Sequence, residues 1–194
     1  YEIGLWQELG KNTSLEINLY YRDIYDLLSL AVVSTYNQVE YGIYTNKDYG
    51  NVRGLELKLD YSFDNLFLQT NYTYQFTRGN ADNPSQTFNR QGSSIDEVIR
   101  LIPMSWDQRH TFNLSLGYNT DRFGITATGY YNSGTPYTFT PQGESNLALL
   151  NLYPNNDYKP SNYHADLSGY INLPKMFGLS PKIDFIVYNL LDRY

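Results

Sequence analysis

The chain has 194 residues, 14 Lys+Arg against 20 Asp+Glu for a formal net charge of −6, and no cysteine. An acidic chain without a basic stripe argues against nucleic acid as a partner, and the lack of cysteine excludes a disulfide framework and a thiolate metal site. The longest apolar stretch, Leu27 to Val33, falls far short of the roughly 20 residues a membrane helix needs. The negative mean hydropathy leaves a membrane β-barrel open, because barrel strands spend half their residues on a polar face.

Tyr1 to Leu9 places Tyr1, Ile3, Leu5 and Leu9 on one face and reads as a strand, not a charged-then-apolar leader. The expectation is a mature chain or a piece of a longer precursor. Gly10-Lys11-Asn12-Thr13 is a compact turn. Ser14 to Tyr25 then sets Leu15, Ile17, Leu19 and Tyr21 against Glu16, Asn18, Tyr20 and Arg22. From Asp26 to about Tyr49 the rhythm is irregular: Leu27, Leu28, Leu30, Val32 and Val33 either extend the strand or fold back over it, and Asn46 to Asn51 reads as a turn. Residues 55–63, Leu-Glu-Leu-Lys-Leu-Asp-Tyr-Ser-Phe, carry the clearest alternation in the chain. Asp64-Asn65 turns the chain into Leu66 to Thr77.

Residues 78–105 are polar and interrupted by Gly79, Pro84, Gly92 and Pro103, with at most a turn or two of helix at Ile95 to Leu101. Arg109 to Tyr118 and Gly124 to Asn132 form the next strand pair around Asn119-Thr120-Asp121-Arg122. Ser133 to Asn162 carries Pro136, Pro141, Pro154 and Pro160, which disfavour a central strand. Tyr163 to Leu173 and Pro181 to Leu191 close the series.

The connections near 10–13, 64–65, 119–123 and 174–180 are short, and those near 26–51, 78–108 and 133–162 are long. In an antiparallel meander this order puts every short turn at one rim and every long loop at the other, as in outer-membrane barrels. The fold class is therefore all-β, an antiparallel up-and-down transmembrane barrel wall of about eight strands. A soluble barrel with its apolar face inside is the alternative. Three features favour an outward apolar face. Full charges stand in mid-strand at Glu56, Lys58, Asp60 and Asp166; the polar face is rich in Asn, Gln, Thr and Ser; and aromatics gather near strand ends at Tyr21, Tyr61, Phe63, Tyr74, Phe76, Tyr118 and Tyr131. The 21 tyrosines suit both a membrane–water boundary and strands in general.

Several segments recur in the order of a known family: Tyr1-Glu2-Ile3-Gly4, Tyr20-Tyr21-Arg22-Asp23-Ile24, Asn51-Val52-Arg53-Gly54-Leu55-Glu56-Leu57, Pro103-Met104-Ser105-Trp106-Asp107-Gln108-Arg109-His110 and Asn189-Leu190-Leu191-Asp192-Arg193-Tyr194. With them the chain resembles the C-terminal part of the barrel of a TonB-dependent outer-membrane receptor. The resemblance implies a barrel of about 22 strands, of which residues 1–194 are a portion lacking the plug and the final strand. It implies a bacterial outer-membrane location and energised import of a large nutrient of the siderophore, cobalamin or glycan class. The implied partners are outer-membrane lipid, that nutrient, a plug domain and the TonB energy-transducing complex. A self-contained eight-stranded barrel with a structural or adhesion role, and a soluble binding module, are the competing readings.

No catalytic role is expected: there is no Gly-x-Ser-x-Gly elbow, no phosphate-binding glycine loop, and no obvious partner for either histidine. No cofactor is expected. His110 and His164 lack metal-ligand spacing. Asn80-Ala81-Asp82 and Asn155-Asn156-Asp157 could offer oxygens to calcium but read more simply as turn formers. Asn12-Thr13-Ser14 fits a glycosylation sequon. Asp107 and Arg109 share the polar parity near the long-loop rim and are candidate lumen or plug contacts, with a structural ion pair as the plain alternative. Trp106 is a candidate membrane-interface anchor. Tyr137, Phe139, Tyr153 and Tyr158, in the long loops, are candidate ligand contacts.

Overall fold

A computed structural model describes residues 1–37, 39–86, 100–139 and 153–192. In chain order the strands are β1 (Glu2–Glu8), β2 (Thr13–Ser34), β3 (Glu40–Phe63), β4 (Leu66–Gly79), β5 (Ile102–Pro103), β6 (His110–Asn119), β7 (Phe123–Asn132), β8 (Pro136–Tyr137), β9 (Asp157–Tyr158), β10 (Asn162–Asn172) and β11 (Lys182–Val187). One antiparallel sheet runs β1-β2-β3-β4-β6-β7-β10-β11, with β5 beside β4, while β8 and β9 pair separately. The path holds the eight strands that the alternation predicts. Among the described residues β1 pairs only with β2 and β11 only with β10, so the sheet does not close on itself.

The register turns the alternation into continuous bands. One row across the sheet reads Leu5, Ile17, Leu57, Tyr72, Phe112, Tyr131, Tyr163. The neighbouring row on the opposite face reads Trp6, Glu16, Lys58, Asn71, Asn113, Tyr130, His164. A one-residue slip in any strand would carry its apolar residues to the polar face, so the bands themselves enforce the pairing.

Residues 26–51 correct the expected loop. They form the outer halves of β2 and β3, a ladder that continues to Ser34↔Glu40 and closes where Thr35 N–H donates to the Val39 carbonyl at 2.9 Å. The irregular rhythm has a local cause. Register shifts occur between Ile24 and Leu27 and between Leu27 and Leu28, and Asp26 sits at φ 60°. A bulge of this kind changes which residues share a face, so the apolar pattern breaks while the ladder does not. At 22 and 24 residues, β2 and β3 are about twice the length needed to cross a membrane. Asn46 to Asn51 lie within β3 instead of forming a turn.

Among the described residues the proline-bearing segment 133–162 contributes the two-residue pair Pro136↔Tyr158 and Tyr137↔Asp157, and its last residue, Asn162, opens β10. Nearly all of the helical turn expected at Ile95 to Leu101, and Pro141, lie outside the described residues.

Where a sheet has one band for lipid and one for water, it needs no interior of its own. The buried apolar side chains, Ala81, Ile102 and Met104, lie off the wall, where β5 and its flanks lie against the outer end of β4. On the wall itself, large aromatic rings cover glycines directly across the ladder: Tyr20 over Gly54, Phe67 over Gly117, Tyr170 over Gly124 and Phe185 over Gly169. In each pair a Cβ on the glycine would collide with the ring. The glycine leaves the backbone bare and the ring lies across it, an arrangement that pins register.

Candidate functional site

At the long-loop rim the ladder between β4 and β6 ends at Tyr74↔His110, leaving the outer residues of β4 to find other partners. The segment before β6 supplies them. Met104 N–H donates to the Thr77 carbonyl at 3.0 Å, and Asp107 Oδ1 accepts the Thr77 N–H at 2.7 Å. Asp107 is fully buried. Its Oδ2 takes the Arg109 guanidinium at 2.9 Å, and Arg109 also donates to the Tyr158 hydroxyl at 3.1 Å. The guanidinium carbon lies 4.2 Å from the centre of the Phe76 ring. Both residues precede β6. Asp107 completes a sheet edge, and Arg109 ties that edge to the β8–β9 hairpin.

The two Asx-rich clusters meet. Asn155, buried, donates from Nδ2 to Asp82 Oδ2 at 2.5 Å and to the Pro103 carbonyl at 2.8 Å. Asp82 Oδ1 accepts the Ser105 N–H at 2.8 Å. Asn80 donates to Asp48 and accepts from the Tyr49 N–H, both at 2.8 Å. These oxygens are engaged in joining three loop regions. Among the described residues no group of three or more His, Asp or Glu side chains is placed to hold a metal. His110 accepts or donates with the Tyr72 hydroxyl at 2.8 Å on the apolar face, and His164 contacts Asp166 at 2.7 Å on the polar face, so the sheet separates them.

On this knotted base the β8–β9 hairpin presents its aromatics. Phe139, Tyr153 and Tyr158 are exposed, and Asn156 clamps the Phe139 backbone from both sides at 2.8 and 3.0 Å. The Tyr137 hydroxyl donates to Asp157 at 3.0 Å, and that bond, with some burial and the carboxylate charge, pushes its pKa above the ordinary phenol value. Trp106 is exposed in the turn between β5 and β6. The link between Asp82 and Asn155 and the small buried cluster of Ile102, Met104 and Ala81 are the features that sequence reasoning missed. The only trace in the sequence was the Asx clusters themselves, each read alone as a turn.

A two-faced antiparallel wall with one plain rim and one knotted rim is matched by a family model, TonB dependent receptor-like, beta-barrel, over residues 1–190. The chain belongs to this family. TonB-dependent receptor barrels are bacterial outer-membrane proteins, which makes the apolar band of this one the lipid-facing side and its long-loop rim the outer one. The barrel segment is similar to the outer membrane transporter YddB from Escherichia coli, with a TM-score of 0.68 and 16% identity over 99% of this chain and 28% of that one. It is also similar to the FrpB iron transporter from Neisseria meningitidis. The F5-1 variant apoprotein gives a TM-score of 0.59 and the F3-3 variant 0.61, each at 16% identity over 99% of this chain and 26% of that one. At that identity the likeness is one of fold. The chain thus spans about a quarter of the length of these solved relatives. No curated protein matches it.

Proposed function

We propose that in the intact receptor this segment supplies lumen wall and outer ligand-capture loops for TonB-energised uptake of a large nutrient of the siderophore, cobalamin or glycan class. The observation that carries the proposal is the set of exposed aromatics Phe139, Tyr153 and Tyr158, with half-buried Tyr137 beside them on β8, on a rim whose loops are hydrogen-bonded to one another. Rings held this way offer broad contact area with little ordering to lose on binding. Arg109, held by Asp107 and bonded to the Tyr158 hydroxyl, supports a ligand contact at the rim, whereas its stacking on Phe76, on the lipid-facing side, disfavours a plug contact. A ligand seated on the rim is then released inward by rearrangement of the plug. A self-contained barrel is disfavoured by the unpaired edges of β1 and β11.

The test uses the full-length receptor with a ferric hydroxamate siderophore, cyanocobalamin and a maltooligosaccharide as probes. One probe binds saturably; Phe139→Ala with Tyr158→Ala weakens it at least about tenfold, the loss of roughly two stacking contacts. Uptake stops when the TonB partner is deleted, while binding persists. Uptake that continues without TonB, or binding unmoved by the double variant, refutes the proposal.

A further inference from the structure

Beyond the membrane the sheet leaves one long edge open. The β3–β4 ladder ends at Gly50↔Gly79. Past it, Asn80 N–H donates to the Tyr49 carbonyl at 3.1 Å, and Asn80 Oδ1 accepts the Tyr49 N–H. The chain then turns away, and Asp82 joins Ser105 and Asn155. From Asp48 out to Glu40, β3 is paired with β2 alone. Among the described residues no strand lies on its other side.

The hairpin tip fixes which groups that edge presents. Thr35 N–H donates to the Val39 carbonyl, so these two residues form a bonded pair. Bonded and non-bonded pairs alternate along an antiparallel ladder. Val33↔Tyr41 and Ala31↔Ile43 therefore bond across the hairpin, while Glu40, Gly42 and Tyr44 turn their N–H and C=O groups to the open side. Sheet edges are ordinarily guarded by shortness, lysine, proline or a bulge. This one runs Glu-Tyr-Gly-Ile-Tyr-Thr-Asn from Glu40 to Asn46, without lysine or proline, a reach of about 23 Å. Exposed Gly42 leaves the backbone bare in mid-strand, where a second backbone can approach closely. Exposed Tyr44 and Leu28 share one face, and exposed Tyr41 and Ile43 share the other.

We propose that the outer edge of β3, Glu40 to Asn46, docks an extended segment of a second protein outside the cell, which joins the sheet as an added strand. Continuity selects the occupant: β3 already carries a strand on this side up to Gly50, and the edge beyond it offers the same main-chain groups with apolar side chains on both faces. A lipid tail leaves those amides unmet, whereas a strand meets them and seats its alternate side chains on the two faces. The docking is independent of which nutrient the receptor carries.

The test takes the full-length receptor in detergent. The probe is a short fluorescent peptide of alternating threonine and valine with serine at each end, followed by anisotropy. It binds saturably, and N-methylation of alternate peptide amides weakens it at least about tenfold, the loss of two or three backbone bonds. Gly42→Pro removes one edge N–H, leaves the β2 side intact and weakens binding as much. Tyr44→Lys supplies the usual guard of an open edge and does the same with the backbone unaltered. Hydrogen exchange gives a second readout: Gly42 and Tyr44 amides exchange fast in the free receptor, Tyr41 and Ile43 slowly, and the peptide slows the first pair. No saturable binding, equal binding by the methylated peptide or by both variants, or Gly42 and Tyr44 amides already protected without peptide overturns the proposal. So does TonB-dependent entry of the peptide into cells, which makes it cargo, or a receptor dimer that Gly42→Pro dissolves, which assigns the edge to a second copy.

Discussion

Asp107 shows what one side chain does at a sheet edge. Thr77 has no strand partner for its N–H, and Asp107 Oδ1 takes that bond while Oδ2 holds Arg109. The carboxylate is fully buried and its guanidinium partner is 23% exposed. Replacement by alanine leaves a buried N–H and a largely buried cation without their acceptor, which costs about 3–5 kcal/mol. Asp107→Asn keeps an acceptor for Thr77 and loses the ion pair, so it falls between alanine and wild type. The order should appear in urea midpoints of the refolded receptor in detergent. Equal midpoints for the alanine variant and wild type would show that Thr77 and Arg109 find other partners.

Further out, Asp23 accepts from Tyr49, Asn51 and Tyr21 in the hairpin that rises beyond the membrane. Those bonds, the one from Tyr49 first, hold the Asp23 pKa below its ordinary value, and the same bond to Asp23 pushes Tyr49 up to about 12. The depressed carboxylate adds stability to the hairpin that is present above its unfolded pKa and lost as pH falls through the folded one. The raised phenol adds stability that is present below its unfolded pKa and lost as pH rises through the folded value near 12. A phenolate absorbance titration should show one tyrosine ionising late, and Asp23→Asn should return it to about 10.

At the scale of strands, the pairing of aromatics with glycines decides how the wall holds register. Gly117 faces Phe67 directly across the β4–β6 ladder, and a side chain at 117 would occupy the ring's place. Gly117→Val should destabilise the refolded barrel by about 1–3 kcal/mol, the usual penalty of overpacking. Gly117→Val combined with Phe67→Ala should recover part of the loss, which a urea double-mutant cycle would read. The strands themselves were legible because Leu55 to Phe63 alternates without interruption. The glycine–aromatic pairs were not, because Gly117 and Phe67 become neighbours only once register is known. The outer halves of β2 and β3 were hidden for another reason. Asp26 enters the left-handed region, the ladder bulges, and the period that marks a strand is broken while its hydrogen bonds continue.

For the whole molecule, the bands, the two rims and the open edges follow from alternation and loop order, and the family match agrees with both. The rim was the least readable part. Tyr137, Phe139, Tyr153 and Tyr158 stood out as aromatic residues in the long loops. Their support from Asn155, Asp82 and Asp107 depends on contacts between distant segments, which no local pattern reports.

The bond between Asp82 and Asn155 also bears on the order of assembly. The two residues stand 73 positions apart, and between them β6 and β7 pair with each other. Closing so long a loop is entropically unfavourable until that intervening hairpin shortens it. The knot therefore forms late, after the wall below it has zipped, and the surface turned toward the cell's surroundings is the last to take shape.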